Sequence, residues 1–527
     1  MKGFFKAFLA VVVLGTFGCF QKKGPVLRIG NITEPATLDP QLAPGFSEAK
    51  IITALFEGLL VPDNRTLEPL PGMASSYTVS PDGLEYTFAL RNDIFWSNGN
   101  PVVAKNFVDA VERGLSPSIA SPWLEFYFAL KNAKAYYDGK ITNFFEVGIE
   151  AKSSKTLTFT LEKPIAFFPS LLTHWAWFPV NRKSIEETGD FFSRDNRWTK
   201  TDNIVSNGPY LLKSVEVGAK IIVEKNKRYW DAKNVNVEEA HFISGVDAST
   251  EENMFIAGQL DITDNVPSDK IKFYREQGTL RRAASLGTAF YWFNCKKKPF
   301  DDVRVRRALS FAIDRSAIGD LRNRGSGFEA YSLVPPGTLD YAHRDLFQFD
   351  VSYAKKLLAE AGYPDGENFP KTTILFNTSD NLKVVGEAVQ EMWRKYLNVD
   401  VNLQSIEWGV FLAERRKHIF DICRGNWVGD FNDATTFLNL LSSKDSNNHA
   451  QWANGDYDRL LSEASKEKSS PRRIGILAKA EKLMIEEMPI IPIYFDSFCH
   501  LVSKRVEGWY PNILDWHPLK NIRFIEE

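Results

Sequence analysis

Apolar and polar positions follow two different periods along the chain, and the two periods interleave over most of its length. Residues 84–90 (LEYTFAL) and 156–161 (TLTFTL) alternate with the period of two that is typical of a half-buried strand. Residues 104–115 and 384–397 place apolar side chains at the spacing of an amphipathic helix. Because no Ser- or Gly-rich linker separates these segments, the pattern predicts an α/β fold whose domains are not simple consecutive segments.

Capping residues sharpen three further predictions. Asp302 is placed to cap a helix whose apolar residues recur on one face. Ser470 and Pro471 occupy the N-cap and N1 positions of another predicted helix, which ends at Pro489. Residues 490–495 then read as a buried strand. We expect all of these apolar stripes to be core rather than cofactor site.

The amino-terminal segment is typical of an exported protein. Two lysines flank the start of an apolar run over residues 7–17, which is too short to span a bilayer as a stable helix. The run stops before Cys19, and this arrangement resembles a bacterial lipoprotein processing site, although Thr16 and Phe17 depart from the usual pattern. We predict a signal peptide over residues 1–18 and lipidation of Cys19; a plain cleaved signal or an uncleaved anchor are the alternatives.

Composition and charge exclude several classes of protein. Apolar residues make up 44% of the 527 residues and charged residues 25%, which excludes disordered and fibrous chains. A net charge of −2 gives no general attraction for nucleic acid, so no nucleic-acid partner is expected. In an oxidising compartment Cys295, Cys423 and Cys499 could supply one disulfide bridge, and the sequence does not say which pair.

The motifs of common enzyme classes are absent from the sequence. The seven histidines are scattered without a zinc-binding spacing, and there is neither a phosphate-binding Gly-rich loop nor a Gly-x-Ser-x-Gly nucleophile motif. We therefore expect a protein that is not an enzyme, with no cofactor and no metal ligands.

Seven short segments, in order along the chain, resemble one known family. They are residues 31–40 (NITEPATLDP), 55–60 (LFEGLL), 104–108 (AKNFV), 207–210 (NGPY), 226–230 (NKRYW), 299–309 (PFDDVRVRRAL) and 427–438 (WVGDFNDATTFL). The chain is similar to the extracytoplasmic oligopeptide-binding proteins of ABC peptide importers, the solute-binding protein family 5.

The resemblance implies a periplasmic-binding-protein-like α/β fold, a two-lobed clamshell with an additional third domain. The first lobe is expected to be discontinuous and to comprise residues 27–57, 182–292 and 495–527. The additional domain would span residues 58–181, and the second lobe residues 293–494.

The resemblance also implies the function and the partners. Short peptides would bind in the cleft between the lobes and would be delivered to the membrane subunits of an ABC permease. The protein would be a monomer in the periplasm or cell envelope, held on a membrane by the lipid at Cys19. A cleft of this kind can bind many sequences, because every peptide offers the same main-chain donors and acceptors and the same charged amino terminus.

The family resemblance assigns candidate binding residues. Asp430 occupies the position of the aspartate that pairs with the peptide amino terminus; the alternative is a turn or cap residue. Trp427 and Trp408 could form walls of the cleft or be ordinary core residues. Glu34 could face a pocket and attract basic side chains, or be a solvated loop residue.

Basic residues are expected at the carboxylate end of the ligand. Arg424 and Arg415 match two family positions, and Arg322 is a poorer match to a third. Arginine binds carboxylate with two parallel hydrogen bonds. A paired buried arginine is the alternative for Arg424, and a solvated helix face the alternative for Arg415. Leu382 replaces a family histidine, which changes the preferred ligand length in a direction that the sequence does not show.

Two other functions remain open from the sequence. The same fold could bind a muropeptide, a dipeptide or a metal chelate, and loss of the histidine at Leu382 keeps a muropeptide credible. An envelope peptidase is the remote alternative, although the sequence offers no nucleophile–base pair for it.

Overall fold

The structure is a computed structural model of the chain and describes residues 25–31, 33–323 and 327–525. Sixteen helices are formed by these residues: α1 (Phe46–Leu55), α2 (Ala104–Gly114), α3 (Leu124–Tyr127), α4 (Ala133–Tyr137), α5 (Phe168–Leu171), α6 (Arg182–Glu186), α7 (Ala248–Ile256), α8 (Ile271–Gln277), α9 (Val303–Phe311), α10 (Arg315–Asn323), α11 (Val351–Glu360), α12 (Asp380–Leu397), α13 (Trp408–Arg416), α14 (Thr435–Leu438), α15 (Gly455–Lys466) and α16 (Ser470–Glu487).

The same described residues form eighteen strands: β1 (Val26–Asn31), β2 (Leu60–Pro62), β3 (Pro69–Pro71), β4 (Ala74–Val79), β5 (Glu85–Leu90), β6 (Ile149–Ala151), β7 (Thr156–Thr160), β8 (Tyr210–Glu216), β9 (Lys220–Lys225), β10 (Glu239–Ser244), β11 (Leu280–Phe293), β12 (Phe328–Glu329), β13 (Thr372–Asn377), β14 (Val401–Ile406), β15 (Ile422–Val428), β16 (Ile490–Leu501), β17 (Val506–Glu507) and β18 (Arg523–Phe524).

Three sheets organise the molecule. The sheet with strand order β1-β10-β9-β8 is the centre of what we call the first lobe. The second lobe is built around the sheet β12-β16-β11-β15-β13-β14, and the additional domain around β4-β5-β7-β6. Sheets covered by helices in separate bodies match the predicted α/β class. The residue boundaries that the sequence predicts for the three domains stay predictions.

Two large hydrophobic cores lie beneath these sheets. One core is shared by the first lobe and the additional domain, and the other fills the second lobe. The side chain of Leu67, on the loop between β2 and β3, is 3% exposed and packs into the second-lobe core. The additional domain is therefore joined to the first lobe by continuous packing and contacts the second lobe at a smaller surface.

A buried ion pair strengthens the junction between the first lobe and the additional domain. Arg113 of α2 donates from Nη1 and Nη2 to the two carboxylate oxygens of Asp39 at 2.9 and 2.6 Å. Gln41 and Trp198 complete the hydrogen bonds around the pair. Arg113 is fully buried and Asp39 3% exposed, so this pair is almost completely removed from water.

Strands β11 and β16 run antiparallel through both lobes. Residues 280–284 pair with 497–501 beside the first lobe, and residues 288–292 pair with 490–495 inside the second-lobe sheet. The register shifts between Ala284 and Thr288, which is where the two strands pass from one lobe to the other. A break in the ladder at that point gives the strands a place to bend.

Most of the elements predicted from the hydrophobic pattern are confirmed. The strands at 84–90 and 156–161 are β5 and β7, and the helices at 104–115 and 384–397 are α2 and α12. Asp302 caps α9 by accepting a hydrogen bond from the Arg304 N–H at 2.8 Å. The predicted N-cap at Ser470 is wrong, because Ser469 is the N-cap of α16 and Ser470 lies in its first turn.

Two further expectations concern the cysteines and the membrane. Cys295, Cys423 and Cys499 are all free, so the bridge that the sequence allowed is not formed among them. In the part of the chain that the structure describes, no helix combines the length and the apolar composition that a membrane span requires. The predicted signal peptide and Cys19 lie outside the described residues.

Candidate functional site

A cavity, called the interlobe cavity below, lies where the two lobes and the additional domain meet. Its volume is about 330 Å³, and aromatic side chains from all three bodies form much of its wall. The first lobe contributes Phe46 and Trp509, the additional domain Trp123, Phe126 and Trp175, and the second lobe Phe431. A concave, mostly apolar site with a few polar groups is typical of a ligand-binding cleft.

Asp430 lines this cavity and enters it from the loop that follows β15. The loop is fixed by its backbone: the Gly429 N–H donates to the Leu286 carbonyl oxygen at 2.8 Å, and the Asp430 N–H donates to Thr436 Oγ1 at 3.2 Å. A methyl group on Gly429 would lie 2.8 Å from the side chains of Leu286 and Thr436. A glycine before the aspartate is therefore required by packing.

The carboxylate of Asp430 has no cationic partner. It is exposed to the cleft, and among the described residues no lysine, arginine or histidine forms an ion pair with it. Partial desolvation of the carboxylate raises the pKa of Asp430, and the negative charge of Glu125 on α3 raises it further. The binding of a cation beside the Asp430 carboxylate would therefore be favourable.

Two arginines of the second lobe also have no acidic partner among the residues that the structure describes. Arg415 lies on α13 and Arg424 on β15; the Nε atoms of both are buried without a hydrogen-bond partner in the described structure. Arg424 Nη1 donates weakly to Asn377 Oδ1 at 3.5 Å. Burial lowers the pKa of Arg415, and the positive charges of Arg424 and Arg416 act in the same direction. Arg415 and Arg424 can therefore bind an anion.

Strand β15 carries Arg424 and leads directly into the loop that holds Asp430. Its residues pair with β11 along one edge, while β13 pairs with the other edge only at Ile422 and Cys423. Over residues 424–428 that second edge pairs with no strand within the described ranges. An unpaired edge is a template for an added strand.

The other candidates occupy less central places. Trp427 is half-buried against the second-lobe core, and its Nε1 is buried without a partner in the described structure. Trp408 is 49% exposed and stacks on Phe411 with 5.7 Å between ring centroids. Glu34 is exposed and accepts a hydrogen bond from the Gly218 N–H at 3.1 Å. None of these three side chains lines the interlobe cavity.

Two candidates of the second lobe complete the set. Leu382 is partly buried against the core of the second lobe. Arg322 lies in α10, and its side chain is outside the described residues. The structure thus brings Asp430 to the cavity and places Arg424 and Trp427 on the strand that leads to it.

The sequence analysis missed a charged cluster on the first-lobe side of the cleft. Asp515 Oδ1 lies 2.7 Å from His500 Nε2 and 2.8 Å from His517 Nε2, and its Oδ2 lies 3.6 Å from Lys50 Nζ. Lys50 also pairs with Asp264. Burial alone would raise the pKa of Asp515, but His500, Lys50 and His517 together hold it well below the usual range. The short spacing Asp515-Trp516-His517 is the only signal in the sequence that points to this cluster.

A comparison of the sequence with known families decides the classification. Residues 68–449 match the family described as "Bacterial extracellular solute-binding proteins, family 5 Middle". The chain belongs to the family-5 extracellular solute-binding proteins. The predicted relationship to the solute-binding components of ABC peptide importers is confirmed, and this is a family of binding proteins.

Known relatives cover nearly the whole family-5 chain. The periplasmic murein peptide-binding protein MppA of Escherichia coli is 36% identical over 488 residues, which are 90% of this chain and 88% of that protein. The solved unliganded open form of MppA superposes with a TM-score of 0.88 at 33% identity and covers 95% of this chain and 97% of that one. The predicted two-lobed clamshell is thereby confirmed.

A second solved relative superposes less closely on this chain. The Haemophilus influenzae protein OppA in complex with the peptide RPPGFSPFR is also 33% identical, and the superposition covers 95% of this chain and 99% of that one. Its TM-score is 0.68. The two relatives are equally similar in sequence, and this family-5 protein superposes more closely on the unliganded open form of MppA than on the peptide complex of OppA.

Proposed function

We propose that the protein binds short peptides in the cleft between its lobes and delivers them to the membrane subunits of an ABC permease. Membership in a family of binding proteins supports this function, as do the murein peptide-binding MppA and the OppA–peptide complex among its relatives. The observation on which the proposal depends most is the unpaired carboxylate of Asp430 in the cleft.

Asp430 pairs with the peptide amino terminus in this proposal. A charged ammonium group that enters a closing cleft loses its hydration, and its burial is costly unless an opposite charge compensates it. Asp430 has the required charge, and an ammonium group would also relieve the repulsion between Asp430 and Glu125. The alternative role as a turn or cap residue would leave this charge in the cleft without a function.

The peptide main chain pairs with the free edge of β15. Residues 424–428 offer backbone donors and acceptors on that edge, so the ligand is added to the sheet as a strand whatever its side chains are. With the amino terminus at Asp430, the chain runs toward Arg424 and Arg415, whose positive charges neutralise the carboxylate. Asp430 lies six positions after Arg424, so an extended ligand between them spans at most about 20 Å.

Capture and delivery share one motion. The open arrangement admits the peptide, and closure of the lobes buries it and forms the surface that the permease recognises. Trp427, Trp408 and Glu34 contact the ligand in the closed state in this proposal. We further propose that the protein has no catalytic activity, so peptides incubated with it should keep their masses.

Titration calorimetry with tri- to pentapeptides tests the role of Asp430. We expect Asp430→Ala to lose about 3–5 kcal/mol of binding free energy, because the peptide ammonium would be buried without a partner. N-acetylated peptides should bind weakly to the unchanged protein and should not distinguish it from the variant.

The matched control is Asp400→Ala, which removes an exposed carboxylate of the same lobe that is remote from the cleft lining. This variant should bind peptides as the unchanged protein does. Near-normal affinity of Asp430→Ala for unmodified peptides would refute the proposed role.

A muropeptide is the second candidate ligand. It is favoured by the 36% identity to MppA and by Leu382 in place of the family histidine. A thermal-shift screen distinguishes the two candidate ligands. The unfolding temperature should be raised by tri- to pentapeptides and not by a murein tripeptide. The reverse result would assign the protein to wall recycling.

The protein is proposed to act in the periplasm or cell envelope as a monomer that is lipid-anchored at Cys19. Two or more acyl chains hold a protein durably on a membrane. We expect the native protein to partition into the detergent phase of a Triton X-114 extract and Cys19→Ser to remain in the aqueous phase. Equal partitioning of both would exclude the anchor.

A further inference from the structure

The buried cluster beside the cleft contains two imidazoles and a carboxylate at close range. His500 lies on β16, and Asp515 and His517 lie on the segment that leads to the carboxyl terminus. One ligand atom from each of the three side chains lies within 4.8 Å of the other two. His500 and Asp515 are 4% and 7% exposed, so this group is built into the protein rather than gathered on its surface.

His500 lies between a backbone carbonyl oxygen and the carboxylate of Asp515. His500 Nδ1 lies 2.9 Å from the Thr263 carbonyl oxygen, which only accepts hydrogen bonds, so Nδ1 is the protonated nitrogen. In a neutral imidazole the other nitrogen, Nε2, then has a lone pair and no hydrogen. That lone pair faces Asp515 Oδ1 at 2.7 Å, and two acceptors at this distance require a proton or a metal ion between them.

We propose that His500 Nε2, His517 Nε2 and Asp515 Oδ1 form a binding site for a divalent transition-metal ion of the zinc class. Two imidazole nitrogens and one carboxylate oxygen are a donor set that zinc and its neighbours accept, and a three-ligand set leaves one coordination position open. This site is separate from the pairing of Asp430 with a peptide and does not depend on it.

The surroundings of the three ligands fit this role. A metal-binding histidine commonly donates its second N–H to a backbone carbonyl, as His500 does to Thr263. The second oxygen of Asp515 is oriented by Lys50 at 3.6 Å. For an ion at about 2.0–2.1 Å from each ligand, the nitrogen–oxygen distances of 2.7 and 2.8 Å need to open by only about half an ångström.

The open coordination position faces the cleft. Asp515 and His517 both line the interlobe cavity, and Asp515 and His500 line the neighbouring cavity of about 420 Å³. Water, or an oxygen of a molecule in the cleft, can reach an ion held at this point. With neutral histidines, Asp515, Asp264 and Lys50 together leave one net negative charge, which a divalent cation compensates.

Zinc chloride is the probe for the first experiment, a calorimetric titration of tag-free, metal-stripped protein. We expect one zinc ion per chain, and His517→Gln should weaken its binding about ten- to hundredfold or more. The matched control is His241→Gln, which removes a histidine that also pairs with a carboxylate, Glu239, but has no second imidazole beside it. This control should bind zinc normally.

A second measurement on the unchanged protein covers the case in which His517→Gln does not fold. X-ray absorption of the zinc-loaded protein should show two imidazole ligands and further oxygen or nitrogen ligands, and His449→Gln should leave the spectrum unchanged. His418 and His449, whose ring centroids lie 6.0 Å apart, are the competing imidazole pair. No stoichiometric zinc, fewer than two imidazoles, or dependence of binding on His449 rather than His517 would overturn the proposal.

Discussion

Asp430 combines a negative charge with a cleft wall that is largely aromatic, and this gives peptide binding a defined dependence on pH. The pKa of Asp430 is raised in the free protein because the carboxylate is partly desolvated and Glu125 is near. A bound ammonium group would lower that pKa. Affinity should therefore be constant above the free-state pKa and fall as the pH drops through it.

Calorimetry between about pH 4 and pH 7 checks this expectation. The loss of affinity on acidification should begin at a higher pH than an ordinary aspartate would produce. Asp430→Asn should bind weakly and without this dependence on pH. An unchanged pH profile in that variant would assign the titration to another group.

Individual site residues were predictable only where a local motif identified them. Asp430 follows Gly429 in a segment that matches the family, and the packing of Gly429 explains why the segment cannot vary freely. The His500, Asp515 and His517 cluster was not predictable, because its first two members are fifteen positions apart in the sequence and only the fold brings them together. Glu34 lies outside the cavity because a hydrogen bond holds it to Gly218, far along the sequence.

Strand β15 depends on a glycine at an interior position. A methyl group on Gly425 would lie 2.3 Å from the Phe290 ring and 2.8 Å from Trp292 Nε1, both on β11. We expect Gly425→Ala to destabilise the second lobe by about 1–3 kcal/mol through overpacking. Scanning calorimetry would show this as a lower unfolding temperature.

The opposite effect is expected at Gly475, in the interior of α16, where an added methyl group meets nothing within 4 Å. Gly475→Ala should stabilise the protein by about 0.5–1 kcal/mol, because alanine loses less backbone freedom in a helix. Equal behaviour of the two alanine variants would contradict the packing that the structure gives to β15.

At the scale of elements, the hydrophobic pattern succeeded where packing is local. The apolar stripe of α12 is the face that it buries. Strand β16 extends six residues beyond its predicted end, since the apolar run stops at Phe495 while pairing with β11 continues to Leu501. That continuation depends on a partner strand about 200 residues away in the sequence, so periodicity alone does not reveal it.

The whole molecule depends on the junction between the first lobe and the additional domain. Asp39→Ala should destabilise the protein by about 3–5 kcal/mol, because the fully buried guanidinium of Arg113 would lose its charge partner. Scanning calorimetry measures this loss. Asp138→Ala, which removes an exposed carboxylate of the additional domain with two lysine partners, is the control and should leave the unfolding temperature unchanged.

The two-lobed plan itself was predictable from the family segments, whereas the sharing of one core by the first lobe and the additional domain was not. The residues in that core come from segments that the chain separates by up to several hundred positions. Hydrophobic pattern identifies each of these residues as buried and does not say which neighbours bury it.

Phe431, next to Asp430, stacks on Phe167 of the additional domain with 4.5 Å between ring centroids. The second lobe and the additional domain are therefore already in contact beside Asp430 before a peptide binds. In the proposed binding mode, the amino-terminal group of the peptide binds in a preformed pocket. The rest of the peptide is enclosed afterwards, when the lobes close. The orientation of the peptide would thus be recognised when its amino group first binds. Its length and its side chains would be recognised only when the lobes close.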